Sequence, residues 1–123
     1  MSQGLLAGKR GLIFGVANDK SIAWACAQEC AAQGAELVFN YLGPLEKRVR
    51  ALAETLPGSD VLECDVTKDE EIASFFAAIK EKWGTIDFVI HSVAFAERDD
   101  LKNPFVQTPR KNFALAMDVS AYS

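Results

Sequence analysis

Along the chain, short unbroken apolar runs alternate with stretches where apolar residues recur every three or four positions. RGLIFGV at 10–16 shows no polar alternation, which predicts a strand covered on both faces. Through 21–33, Ile22, Cys26 and Cys30 recur four apart, predicting a helix with that face on the sheet; its alanines permit close approach, and Gly34 stops it. ELVFNY, 36–41, predicts the second strand. The helix over 45–56 carries Leu45, Val49, Leu52, Ala53 and Leu56 in one stripe and is broken by Pro57-Gly58. Residues 60–64 predict a third strand. Thr67 and Glu70 have the spacing of a capping box, opening a helix with Ile72, Phe75, Phe76, Ile79 and Trp83 on its core face and Gly84 at its end. IDFVIHSV, 86–93, predicts the fourth strand, followed by a polar loop at 97–109. Thr108-Pro109 then reads as an N-cap and first-turn proline opening a last helix, whose face carries Phe113, Met117 and Ala121 and which meets no stop signal.

Strands alternating with amphipathic helices imply right-handed crossovers, and so an α/β fold: a Rossmann-type doubly wound parallel sheet with about four strands, incomplete against the six-strand order. The 123 residues suffice for one domain, and half of them are hydrophobic. One flank of the fourth strand is expected to be an exposed parallel edge. The net charge of −4, with scattered basic residues, argues against a nucleic-acid partner. Lys47, Arg48 and Arg50 read as a solvated helix face. No apolar run is long enough to span a bilayer, and residues 1–9 lack the apolar stretch of a signal peptide. Cys26, Cys30 and Cys64 form no CxxC pair; they read as small packing residues in a cytoplasmic protein. His91, the one histidine, has no companion ligand, so it is read as a buried or half-buried structural residue with no metal.

The candidate chemistry lies in the first turn, Gly15 to Ala23. In a doubly wound sheet, ligands bind outside the carboxyl ends of the strands, and a helix N-terminus offers free N–H groups and partial positive charge to a diphosphate. Gly15 permits the turn, Ser21 can cap the helix and donate to a phosphate oxygen, and Ala23 is small. The GxGxxG fingerprint is absent, and the same residues also suit a plain turn with Ser21 as N-cap. Lys20-Ser21 does not make a P-loop, because Asp19 and Phe14 stand where glycines are needed. Leu42, at the end of the second strand, has no side-chain acid for a ribose hydroxyl, and no cation sits there for a 2′-phosphate.

Taken together, Gly15…Ser21-Ile22-Ala23, Cys64-Asp65-Val66, His91-Ser92-Val93-Ala94-Phe95-Ala96 and Asp118-Val119-Ser120-Ala121-Tyr122-Ser123 resemble successive blocks of the bacterial enoyl-acyl-carrier-protein reductases, a divergent branch of the short-chain dehydrogenases/reductases. Ser21 in place of a glycine, and HSVAFA in place of an NNAG-like signature, both match that branch. The resemblance implies an oxidoreductase of fatty-acid synthesis that reduces the trans-2 double bond of enoyl thioesters carried on acyl-carrier protein. It implies NADH, with NADPH left open by Leu42, and a homotetramer. It places Gly15, Ser21 and Ile22 along the cofactor diphosphate, and Asp65 on the adenine amino group with the Val66 backbone at the ring. It places Ser92 and Val93 along the ribose and nicotinamide, and Phe95 and Ala96 on the acyl substrate. For Asp65 a plain strand-end turn is the competing reading. The family's catalytic Tyr-x₆-Tyr-x₆-Lys block has no counterpart in these residues, so no catalytic residue is assigned; Tyr122 belongs to a different block. Residues 1–123 are therefore expected to be the cofactor-binding portion of a longer enzyme, weakly stable and inactive alone. A 3-oxoacyl reductase and a non-catalytic NAD(H)-binding module are the competing functions.

Overall fold

The computed structural model describes residues 4–123, which divide into two compact units, one ending at Ser92 and the other running from Val93 to Ser123. The first unit runs β1 (Arg10–Phe14), α1 (Ile22–Ala32), β2 (Glu36–Tyr41), α2 (Glu46–Ala53), β3 (Asp60–Glu63), α3 (Asp69–Trp83) and β4 (Phe88–His91). All pairings are parallel and the sheet order is β3-β2-β1-β4. The sheet thus grows outward from β1 through β2 to β3, then returns to the other side of β1. The carboxyl ends of β1 and β4 therefore flank the switch point at which such sheets bind ligands.

Alternate side chains of a strand point to opposite faces. Ile13, Leu37, Phe39 and Val61 form one buried cluster with Ala23, Trp24 and Ala27 of α1 and Val49 and Ala53 of α2. From the other face, Phe14 meets α3 through Phe75 and Phe76, at ring-centroid distances of 5.1 and 6.5 Å. Gly11 makes room for its register partner on β4: a Cβ there would lie 2.1 Å from the Phe88 ring. Strand β4 is an edge, with Val89 and His91 exposed.

The structure corrects several expectations. Strand β1 stops at Phe14, because Gly15 turns out of the extended region at φ 113°. Strand β4 is shorter than 86–93, since its register with β1 runs only from Phe88 to His91. Helix α1 buries Ala23, Trp24 and Ala27 rather than the Ile22–Cys26–Cys30 face, and Ile22 is 77% exposed. The indole explains the rotation: Trp24 packs on Phe39 at 5.9 Å, and the larger apolar side chain wins the sheet side. Helix α3 buries Phe75 and Ile79 most deeply and leaves Phe76 part-exposed. His91 is exposed, not buried.

In the second unit, two 3₁₀ turns at 98–101 and 105–107 occupy the stretch expected as a polar loop. Helix α4 (Arg110–Met117) has Pro109, not Thr108, at its N-cap position; the Pro109 carbonyl accepts from the Asn112 and Phe113 N–H groups at 3.1 and 3.0 Å. The helix widens into a π turn at Asp118–Tyr122, closed by the Ser123 N–H on the Asp118 carbonyl at 2.9 Å.

Candidate functional site

The loop between β1 and α1 is organised by its own polar side chains. The Ser21 hydroxyl accepts from the Ala17 and Asn18 N–H groups at 3.0 and 3.1 Å, and Asn18 Oδ1 accepts from Lys20 N–H at 2.8 Å. Ser21 thus occupies the N-cap position of α1 without capping it through its side chain, contrary to the sequence expectation. Its hydroxyl proton is left to donate. The Ser21 carbonyl takes the Trp24 and Ala25 N–H groups at 3.0 and 3.3 Å, and no acceptor among the described residues takes the Ile22 or Ala23 N–H. Two backbone donors and the positive end of an 11-residue helix are therefore available beside Gly15. That arrangement suits a diphosphate.

Asn40 fixes the turn from behind. It is only 7% exposed; its Oδ1 accepts from Gly15 N–H at 3.1 Å, and its Nδ2 donates to the Cys64 carbonyl at 3.0 Å. One amide thereby joins the carboxyl ends of β1, β2 and β3. Sequence reasoning missed it, although a polar residue closing the apolar run ELVFNY was the available signal. Burial pushes the adjacent Cys64 thiol up to about 11, helped by the negative charges of Glu71 and Asp65.

Beyond β3, Asp65 Oδ1 accepts from the Thr67 hydroxyl at 2.6 Å and the Thr67 N–H at 2.9 Å, and these bonds hold the Asp65 carboxyl below its usual range. The Asp65 N–H donates to Glu71 Oε1 at 2.9 Å. The Thr67–Glu70 capping box does not form: α3 starts at Asp69 with Lys68 in the N-cap position, Thr67 turns back to Asp65, and Glu71 reaches back instead of Glu70. The Asx-type turn at Asp65 satisfies the Thr67 donors locally and outcompetes the cap. Asp65 is thus a strand-end turn residue by its contacts, and its Oδ2 takes no bond among the described residues.

A cleft of about 300 Å³ opens at this end of the sheet, lined by residues 42–44 and by Glu63, Asp65, Lys68 and Glu71. Leu42 is 43% exposed and extended. Val66 is half-buried beside Asp65. Across the sheet, Ser92 N–H donates to the Phe14 carbonyl at 3.0 Å, which holds Ser92 at the end of β4 next to the start of the first turn. So Gly15, Ser21, Ile22, Leu42, Asp65, Val66 and Ser92 all lie at the carboxyl ends of the four strands of the first unit. In the second unit, the Phe95 N–H donates to Ser120 Oγ at 3.0 Å, tying the HSVAFA and DVSAYS segments together. There Phe95 is 45% exposed, and Val93 and Ala96 are half-buried.

Parallel strands in this order, with an open helix N-terminus at the switch point, define a Rossmann-type nucleotide-binding fold. The sequence model of the family described as "Enoyl-(Acyl carrier protein) reductase" matches residues 15–123, and the chain belongs to that family. It is similar to the enoyl-acyl-carrier-protein reductase (NADH) FabI of Rickettsia bellii, 49% identical over all of this chain and 47% of the relative. It is also similar to the FabI of Bacillus cereus, 52% identical over 97% of this chain and 48% of the relative. Among solved structures, the Anaplasma phagocytophilum reductase in complex with NAD superposes with a TM-score of 0.93 at 44% identity, covering 99% of this chain and 47% of that one. The Bacillus cereus reductase with NADP+ and indole naphthyridinone gives 0.94 at 51% identity, covering 98% and 48%. The chain spans about half the length of the curated relatives it matches.

Proposed function

We propose that the protein carrying this chain reduces the trans-2 double bond of enoyl thioesters on acyl-carrier protein with NADH, and that these residues form its coenzyme-binding portion. The observation that carries the reading is the first turn. The Ile22 and Ala23 N–H groups have no acceptor among the described residues and stand at the positive end of α1, in a loop that Ser21, Asn18 and Asn40 already hold in shape. Such a preorganised donor pair accepts a diphosphate with little ordering cost. Gly15 and the Ser21 hydroxyl lie beside it, and Ile22, exposed where a core residue was expected, covers the ligand.

In this reading the adenosine half lies toward Leu42. Asp65 Oδ2 accepts from the adenine amino group, and the Val66 backbone meets the ring. Ser92 and Val93 follow the other ribose and the nicotinamide, while Phe95 and Ala96 meet the acyl chain. The bound dihydronicotinamide supplies hydride. No residue here is assigned a catalytic role, because the sequence holds no Tyr-x₆-Tyr-x₆-Lys block, and residues 1–123 alone are proposed to be inactive. We further propose a homotetramer in the cytoplasm. The three unpaired cysteines fit a reducing compartment, and no helix among the described residues is long and apolar enough to cross a membrane.

The test is oxidation of NADH by the protein with crotonyl thioester. Turnover is the expected result. Turnover of a 3-oxoacyl thioester in its place would mark a ketoreductase, and NADH binding without turnover of either would mark a binding module; both overturn the proposal.

A further inference from the structure

Dinucleotide-binding sheets ordinarily carry an acid at the end of the second strand, where it accepts a hydrogen bond from the adenosine ribose 2′-hydroxyl. Here that place holds Leu42 followed by Gly43, and neither side chain can do so. Resting on the coenzyme reading above, we propose that Glu63 supplies this carboxylate from the neighbouring strand, accepting from the 2′-hydroxyl of NADH and turning away the 2′-phosphate of NADPH.

The register brings it there. Glu63 closes β3 and pairs with Tyr41, the last residue of β2. Its Oε2 lies 3.1 Å from where a Cβ on Gly43 would stand, so the carboxylate leans over the backbone just past β2. A side chain at position 43 would crowd it, and glycine leaves it room. The carboxylate makes no hydrogen bond or ion pair with any described residue, so its acceptor capacity is unspent. It lines the same cleft as Leu42 and Asp65, which is large enough for part of an adenosine.

The surrounding charges point the same way. The cation lining the cleft, Lys68, sits 3.4 Å from Glu71. Arg50 on α2 donates to Glu46 at 2.8 Å and lies over the Tyr41 ring. Both cations are already paired with glutamates, and Glu63, Asp65 and Glu71 all repel a phosphate dianion. A hydroxyl is accepted and a phosphate excluded by the same group, which is discrimination by repulsion as much as by attraction.

The test measures direct binding of NADH and NADPH, by titration of nicotinamide fluorescence, to the protein and to Glu63→Gln and Glu63→Ala. Wild type should bind NADPH at least about tenfold more weakly than NADH, a gap that narrows with added salt as screening predicts. Glu63→Gln should bring the gap to within about threefold by tightening NADPH, with NADH weakened less than in Glu63→Ala, because the amide oxygen keeps a neutral acceptor. Glu63→Ala should also tighten NADPH while weakening NADH. Circular dichroism and thermal unfolding of both variants check that the fold is intact. A gap that neither variant alters, or a wild-type gap indifferent to salt, would overturn the proposal while leaving the coenzyme reading in place. Binding of neither coenzyme to wild type would overturn both.

Discussion

The turn after β1 and the cleft beyond β2 and β3 lie at the same carboxyl edge of one sheet, yet they are built on opposite plans. In the turn, the side chains of Ser21, Asn18 and Asn40 accept from the loop's own backbone, and what remains for a ligand is main-chain N–H and the one Ser21 hydroxyl proton. In the cleft, two of the three carboxylates keep oxygens free: Glu63 makes no hydrogen bond or ion pair among the described residues, and Asp65 commits only one oxygen, while Glu71 is held by the Asp65 N–H and Lys68. A main-chain site reads the shape and charge common to every dinucleotide. A side-chain site can read the groups by which one dinucleotide differs from another. The turn should therefore govern affinity for all coenzymes alike, and the cleft should govern choice among them.

The largest effect that could break this division is expected at Gly15. Its φ of 113° lies where a β-branched residue is strained, so Gly15→Val must displace the first turn. Binding of NADH and NADPH should fall together, by about a hundredfold, in calorimetric titration. A selective loss would erase the distinction between the two regions. Asn40→Ala comes next. It leaves the Gly15 N–H and the Cys64 carbonyl without their amide partner in a buried setting, and should lower unfolding free energy in urea by about 1–3 kcal/mol. Both coenzymes should again lose affinity in step.

The smallest effect sharpens the comparison on the cleft side. Thr67 holds the Asp65 carboxyl below its ordinary value of 3.8, so the folded state favours the ionised form more than the unfolded chain does. That contribution is complete above the ordinary value and is lost as pH falls through the lowered one. Thr67→Val, which removes the hydroxyl bond, should be less stable than wild type at neutral pH, and the difference should close as pH drops below 3.8 in acid titrations followed by circular dichroism. A difference that persists unchanged into acid would show that the hydroxyl acts on packing and not on Asp65.

The same contrast explains what could be read in advance. Parallel strands alternating with helices were visible in the apolar runs, because burial on both faces leaves an unmistakable composition. The Gly15 turn was visible too, since backbone recognition needs glycine and a helix start, both local in sequence. Rotation of α1 was not: Ile22, Cys26 and Cys30 are as regularly spaced as Ala23, Trp24 and Ala27, and only the distant Phe39 ring decides between them. The capping box failed for a related reason. Thr67 has two places to spend its hydrogen bonds, and the choice of Asp65 over the helix depends on a turn geometry that spacing does not encode. Glu63 and Asn40 acquire meaning only through cross-strand register, which places Glu63 beside Tyr41 and Asn40 between Gly15 and Cys64.

The most direct test of the account is a crystal structure of the protein with NADH. The account predicts diphosphate oxygens at hydrogen-bond distance, about 3 Å, from the Ile22 and Ala23 N–H groups, with Ile22 against the coenzyme. A diphosphate bound elsewhere, with those two N–H groups facing water or occupied by protein atoms, would contradict it.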